Sequence, residues 1–245
     1  MNNNMINFKY SFRQTRALFG KELRSYVGSP ILYIIMTVFL LLTGVFYFKD
    51  FYIIGRADMR QFFNVLPFFF MFFIPAITMR QIAEERSSGT LEMIITMPVS
   101  ASNLVLGKFF ASVAIVMIMM APTLFYVLSL GVAGVPDYGM IVAGYIGTIF
   151  LAASYVAVGI FASSLTKNQI IAWLVSTAFC VFFTMIDYFI QFIPGKIFAF
   201  LNYLSASYHF QGLAKGVLEF RNITYLITVS LFFIILSVRS IEERR

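Results

Sequence analysis

Six long apolar runs constrain this chain more than any motif in it. They lie at about residues 31–48, 62–79, 109–130, 141–165, 170–193 and 223–238. A helix needs roughly 17–25 apolar residues to cross the hydrocarbon of a bilayer. Five runs meet that length, and the sixth meets it by borrowing flanking residues. The hydrocarbon holds no water, so a spanning segment must close its backbone hydrogen bonds internally, and runs of this kind predict α-helices. They occupy about half of the 245 residues and leave no stretch for a separate soluble domain. Composition supports this reading, with 60% hydrophobic residues and 12% charged, against about 25% charged in a soluble domain. Thirty phenylalanines in a water-soluble fold would leave large apolar patches exposed. The first run is too long for a signal-peptide core and lacks a small-residue cleavage pattern, so it reads as a retained span. The expected fold is an all-α polytopic membrane protein, a single transmembrane domain over residues 1–245.

The net charge of +7 would point to nucleic acid in a soluble protein. Here it has another origin, because cytoplasmic loops of membrane proteins are enriched in Lys and Arg. An even number of spans puts both ends on one side. That side holds Lys9, Arg13, Arg16, Lys21, Arg24, Arg80, Arg86, Lys108, Lys167, Arg239, Arg244 and Arg245, and the other holds Lys49, Arg56, Arg60, Lys196, Lys215 and Arg221. The roughly two-to-one bias predicts cytoplasmic termini and removes nucleic acid as a partner. Between Lys108 and Lys167 the only charged residue is Asp137, in the turn Gly134-Val135-Pro136-Asp137, which makes runs three and four a helical pair. Pro67, Pro75 and Pro122 are expected to kink or loosen their helices.

Three segments outside the runs carry further information. In residues 8–28, Phe8, Phe12, Phe19, Leu23 and Tyr26 share one helical face, while Lys9, Arg13, Arg16 and Arg24 lie opposite with Lys21 at the edge. This is the pattern of a helix lying in a membrane interface, and Gly28-Ser29-Pro30 ends it. The loop Arg80–Lys108 is the longest connection on the cytoplasmic side and begins with Arg80, Glu84, Glu85 and Arg86. Ser87-Ser88-Gly89 offers a helix stop with glycine at the left-handed position. Thr90 is expected to cap a short helix with Glu92 near its positive end. Leu91, Ile94 and Ile95 give that helix an apolar face, Pro98 ends it, and Ser100 or Ser102 can cap the next helix. Such a helix either floats at the membrane surface or docks a cytoplasmic partner. The segment Gly195–Arg221 carries Phe198, Phe200, Tyr203, Tyr208 and Phe210 and is too apolar for a free loop. A re-entrant or interfacial hairpin fits it.

Chemistry within the chain has little support. There is no G-x-x-x-x-G-K-[ST] phosphate loop, since Gly107-Lys108 is followed by Phe109 and lacks the upstream glycine. No G-x-G-x-x-G or H-E-x-x-H motif occurs. The single histidine, His209, has no visible triad partner and reads as a headgroup-level polar contact outside the spans. An intramembrane enzyme built on it is the least favoured reading. Met117, Met119 and Met120 spread around a helix and read as apolar filler rather than copper ligands. Cys180 is alone and sits in an apolar run. Asp187 lies at the outer end of run five, where interface placement near Lys196 is favoured over a functional intramembrane carboxylate.

The stretch Ile74-Pro75-Ala76-Ile77-Thr78-Met79-Arg80, continuing through Glu84-Glu85-Arg86-Ser87-Ser88-Gly89-Thr90-Leu91-Glu92 to Thr96-Met97-Pro98-Val99-Ser100 and Val105-Leu106-Gly107-Lys108, resembles the signature of ABC-2-type transporter permeases. Tyr208-His209-Phe210, Gly216-Val217-Leu218 and Arg221-Asn222-Ile223-Thr224-Tyr225 extend the resemblance along nearly the whole chain, and the gliding-motility-associated permeases are the most similar subgroup. The resemblance implies a six-span permease subunit in a bacterial inner membrane, paired with a second permease of the same or a related chain. It implies two copies of a separate ATP-binding subunit that hold ATP and Mg, so this chain binds no cofactor and is not itself an enzyme. An accessory membrane or periplasmic protein is a further expected partner. It also implies short re-entrant helices between spans five and six.

By the same resemblance Glu84, Glu85, Arg86, Gly89, Thr90, Leu91, Glu92, Pro98, Val99 and Ser100 form the region coupled to the ATPase. The interface helix carrying Phe12, Arg13, Arg16, Phe19, Lys21 and Leu23 contacts it as well. None of these residues is catalytic. The competing reading is a membrane assembly or anchoring protein that docks a cytoplasmic partner without moving cargo.

Overall fold

The computed structural model describes residues 2–54, 58–96, 100–133, 136–190 and 203–243. Among them every regular element is helical: α1 (Asn2–Val27), α2 (Pro30–Ile54), α3 (Arg60–Thr78), α4 (Ala83–Ser87), α5 (Thr90–Thr96), α6 (Ala101–Met120), a 3₁₀ turn (Ala121–Thr123), α7 (Leu124–Ala133), α8 (Tyr138–Leu165), α9 (Gln169–Ile190), α10 (Ala206–Ala214) and α11 (Phe220–Glu242). Among the described residues six stretches are long and apolar enough to cross a membrane: Pro30–Lys49, Arg60–Ser87, Ala101–Gly131, Tyr138–Leu165, Gln169–Ile186 and Phe220–Glu242. The short sixth run gains its length from both flanks, as expected.

Helix boundaries follow local chemistry. Pro30 opens α2, where its missing N–H would have had no partner. Pro67 and Pro75 sit inside α3 without ending it, whereas Pro122 falls in the 3₁₀ turn that divides span three into α6 and α7. The Asp137 side chain accepts from Met140 N at 3.1 Å and caps α8. Hydroxyls in the spans return to their own helix: Thr43 Oγ1 donates to Phe39 O at 2.8 Å, Thr148 Oγ1 to Gly144 O at 2.8 Å and Ser237 Oγ to Phe233 O at 2.7 Å.

Helix α8 forms the centre, packed by α3, α6, α9, α10 and α11. Small residues let it approach its neighbours. A Cβ at Gly147 would stand 2.7 Å from Leu213 Cβ, and one at Gly159 would overlap Thr78 Oγ1. Close backbone approach of this kind drives association where lipid removes the hydrophobic incentive. Helix α2 stands at the opposite extreme. It touches α1 and α3, stacks Tyr47 on Tyr126 of α7, and exposes Ile34, Leu41 and Val45, the surface of a helix facing lipid. With six spans, both termini and the α4–α5 connection lie at one end of the bundle, and α10 lies at the other.

Candidate functional site

The end that carries the termini holds a charged cluster built from remote parts of the chain. Lys108 is 1% exposed. Its Nζ lies 2.9 Å from Glu22 Oε1 on α1 and 2.8 Å from Glu85 Oε1 on α4. Two carboxylates around one ammonium leave one unit of negative charge in excess. A buried charge is tolerated only when paired and hydrogen-bonded, so the ammonium locks α1, α4 and α6 together. This corrects the placement of Lys108 at a loop end. Ser100 caps α6 by accepting from Asn103 N at 3.3 Å, and the helix starts at Ala101, which carries Lys108 two turns inside.

Helix α1 meets α6 through polar and small residues. Ser11 Oγ donates to Asn103 Oδ1 at 2.6 Å, Asn103 Nδ2 donates to Gln14 Oε1 at 2.8 Å, and a Cβ on Gly107 would lie 2.7 Å from Leu18 Cβ. The packed stripe is therefore Ser11, Thr15, Leu18 and Glu22, spaced four, three and four residues. It is distinct from the Phe12–Phe19–Leu23 face that the pattern of large apolar residues picks out. Phe12, Arg13, Arg16 and Lys21 are exposed, and Phe19 and Leu23 are half-buried. The heptad-like spacing of the stripe was readable in the sequence, but three of its four residues are small or polar, and Leu18 alone carries a hydropathy signal.

The α3–α4 junction is clamped by the end of α8. Ser163 Oγ accepts from Ile82 N and Ala83 N at 3.0 Å each and donates to Met79 O at 2.9 Å. One hydroxyl thus satisfies three backbone groups freed where the helix breaks. Arg86 Nη1 donates to Ser164 O at 2.7 Å. Arg86 and Glu85, expected to face a partner, are thereby held against this chain's own spans. Glu84 stays exposed and pairs with Arg80 at 3.8 Å.

Gly89 has φ +73°, the left-handed conformation expected after Ser87-Ser88, and it reverses the chain into α5. Thr90 differs from expectation. Its hydroxyl donates back to Glu85 O at 3.3 Å and lies 2.9 Å from Ser88 Oγ, closing the preceding helix. Leu91 is buried, 7% exposed, and packs into this chain's core instead of projecting toward a partner. Glu92 and Met93 are exposed. Pro98 and Val99 lie outside the described residues, as do the side chains of Ile94, Ile95, Phe8 and Lys9.

Below this cluster, Tyr26 Oη donates to Ile77 O at 2.8 Å, and Gln81 Nε2 donates to Tyr26 Oη at 2.7 Å and to Ser112 Oγ. Burial, reinforced by the Glu22 charge, pushes the Tyr26 phenol up, so it keeps its proton. A cavity of about 610 Å³ opens beside these groups, lined among others by Lys21, Glu22, Arg80, Gln81, Glu85 and Lys108.

At the other end His209 is not a headgroup contact. It is 1% exposed, with Nδ1 2.8 Å from Asn222 Oδ1 and Nε2 3.1 Å from Tyr203 O. A carbonyl only accepts, so Nε2 carries a proton. The ring stacks on Tyr225 at 4.1 Å and 21°, and Tyr225 Oη donates to Leu204 O at 2.6 Å. Helix α10 lies where a re-entrant or interfacial helix was expected. Residues 191–202, including Lys196, Phe198 and Phe200, and the Asp187 side chain lie outside the described residues.

A helical bundle with six candidate spans, and with a charged helical connection braced against them at one end, defines the class of multi-pass membrane components. The family model described as ABC-2 family transporter protein matches residues 30–239, and the chain belongs to that family. A search of curated proteins returned no match. Members of the family are membrane permease components of ABC transporters, generally not catalytic themselves, and they generally work with an ATP-binding subunit.

Proposed function

We propose that this chain couples ATP hydrolysis on a separate subunit to export or to mechanical work across a membrane. Two copies of the ATP-binding subunit and a second permease, the same chain or a related one, complete the assembly. The observation that carries this reading is the mounting of α4 and α5. Exposed Glu84, Glu92 and Met93 offer a surface to a partner. Half-buried Glu85, through Lys108, ties α4 to span three, and Arg86 ties it to the end of span four. A push on α5 is then delivered through ion-paired and hydrogen-bonded links to α6 and α8 rather than lost in a loose loop.

In this reading α5 is the coupling helix, and α1 rests in the cytoplasmic interface with Phe12 toward lipid and Arg13, Arg16 and Lys21 toward headgroups or the ATPase. The segment around α10 is the external re-entrant hairpin. The termini are cytoplasmic, and the membrane is a bacterial inner membrane. Resemblance to the gliding-associated permeases makes force transmission to an accessory membrane or periplasmic protein the first process to test.

The test is permease-stimulated ATPase activity in vesicles holding this chain and its co-purified ATP-binding protein. Glu92→Ala and Gly89→Val should each lower stimulation about tenfold, within the 1–3 kcal/mol range of coupling between sites, while thermal unfolding of the isolated chain stays near wild type for Glu92→Ala. Unchanged stimulation in both variants overturns the coupling role. Docking without stimulated hydrolysis or cargo movement would instead support an anchoring protein.

A further inference from the structure

At the end of the bundle away from the termini, His209 is set between two acceptors. Nε2 faces the carbonyl of Tyr203 at 3.1 Å, and Nδ1 faces Asn222 Oδ1 at 2.8 Å. The orientation of the Asn222 amide follows from its other partner. Its Nδ2 donates to Glu219 Oε2 at 3.3 Å, and the same carboxylate oxygen accepts from Arg221 Nη2 at 3.2 Å. Turning the amide over would set its oxygen against the carboxylate, acceptor against acceptor. The oxygen therefore faces the ring. A ring nitrogen without a proton can only accept, so each contact requires an N–H from the histidine. A neutral imidazole has one N–H and an imidazolium has two.

The surroundings suit a charged ring. His209 is 1% exposed, and a buried charge is tolerated only when it is hydrogen-bonded and compensated. Both N–H groups have acceptors, and the ring lies on the face of Tyr225 at 4.1 Å and 21°, a surface that attracts cations. Tyr208 of α10 meets the ring edge-on at 5.4 Å. Glu219 and Arg221 reach it through Asn222 and Tyr203, since Arg221 Nη1 donates to Tyr203 Oη at 3.3 Å. Of the other elements packed on α10, α3 carries charge only at Arg60, which pairs with Asp58. Helix α8 carries no charge, and its Tyr145 and Tyr155 bond to Thr123 and Thr184. Helix α9 carries Asp187, whose side chain lies outside the described residues.

We propose that His209 is a proton-binding site that fastens α10 to α11, with both ring nitrogens protonated in the fold seen here. Loss of one proton leaves Nε2–H on the Tyr203 carbonyl and turns the Nδ1 lone pair toward Asn222 Oδ1. Two acceptors then face each other, and the Asn222 amide can relieve this only by giving up Glu219. The bridge between the two helices is undone. In the orientation proposed above this end faces outward, so the proton is exchanged with that side.

The experiment uses the purified full chain, without a histidine tag, in detergent micelles from about pH 5.5 to about pH 8.5, which spans the range of histidine. The chain has one histidine, so isotope-labelled ring nitrogens report on it directly by magnetic resonance. Both nitrogens should read as protonated at the acid end. Folding that selects the protonated ring loses stability as pH rises, and folding that selects the neutral ring gains it. The unfolding midpoint of wild type should therefore exceed that of His209→Gln most at the acid end, and the gap should narrow by about 2–4 °C toward the alkaline end. Glu219→Gln lets the Asn222 amide turn, because a neutral amide can meet either of its ends. It should lower the ratio of protonated to neutral ring about tenfold at a fixed pH. A single protonated nitrogen at the acid end overturns the site, and so does a gap that stays constant or widens with pH. An unchanged ratio in Glu219→Gln overturns it as well, because Glu219 then does not set the amide. Micelles have no sides and no ATP-binding protein is present, so these outcomes are independent of the orientation and the coupling role proposed above.

Discussion

The two ends of the bundle solve one problem, keeping polar groups buried, in different ways. At the end with the termini, Lys108 takes Glu22 and Glu85 from α1 and α4, elements far apart in the sequence. At the other end, His209, Asn222, Tyr203 and Tyr225 come from a single short stretch and are joined by hydrogen bonds and ring stacking. The first cluster is charged and still leaves acceptors unsatisfied. The second partners both nitrogens of its imidazole. The difference teaches where this fold is built to respond. A saturated local cluster fixes a hairpin, whereas a charged cluster between remote elements joins α1, α4 and α6 and passes a displacement of one to the others.

The strongest way to break this contrast is Lys108→Met. It strands one buried and one half-buried carboxylate and should cost about 3 kcal/mol, read as a lowered unfolding midpoint in detergent. Neutralising the cluster as a whole, with Glu22→Leu and Glu85→Leu added, should recover most of that loss, since replacing a complete buried ion cluster is often near neutral. A Lys108→Met chain as stable as wild type would mean the ammonium is not needed to hold the three helices. Next in size is His209→Ala, which removes two hydrogen bonds and a stacked pair and should cost about 2–4 kcal/mol. His209→Phe keeps the stack and should lose less. Equal losses in the two variants would assign the whole effect to hydrogen bonding.

A smaller effect is expected from Gly107→Ala, whose Cβ would stand 2.7 Å from Leu18 Cβ. Overpacking of this kind costs about 1–3 kcal/mol, and adding Leu18→Gly, which removes the clashing Cβ, should return part of it relative to the sum of the two single variants. If the double variant gained nothing, the α1–α6 contact would not be the cause. The smallest pair compares caps at the two ends. Ser205, fully buried, accepts from Tyr208 N at 3.1 Å and also donates to Phe183 O at 3.3 Å. Ser100 is exposed and caps only α6. Ser205→Ala should cost about 1–2 kcal/mol and Ser100→Ala about 0.5–1 kcal/mol. The reverse order in thermal unfolding would show that burial does not set the value of these caps.

Legibility in the sequence followed the range of the interaction. The spans, the Gly89 reversal, the break at Pro122 and the Ser100 cap depend on a few neighbouring residues and could be read directly. Leu91 reads as an exposed knob because hydropathy does not say which surface a short apolar face meets, and in the fold that surface belongs to this chain. Arg86 and Glu85 read as partner contacts for the same reason. Lys108 is counted as a loop cation by any rule that scores charge alone, although the cap at Ser100 already placed it inside a helix. His209 reads as solitary because Asn222 and Tyr225 lie beyond the end of its helix, 13 and 16 residues further on, and only the return of α11 beside α10 brings them to the ring.

By itself, then, the sequence determined the solvent of this protein, the number of its spans and the places where helices start and stop, because each depends on composition or spacing within one segment. Tertiary structure alone decided which charges are buried and which face outward. The cost of burying a charge is set by what stands within about 4 Å of it, and for Lys108 those groups are contributed by helices that meet only when the bundle closes.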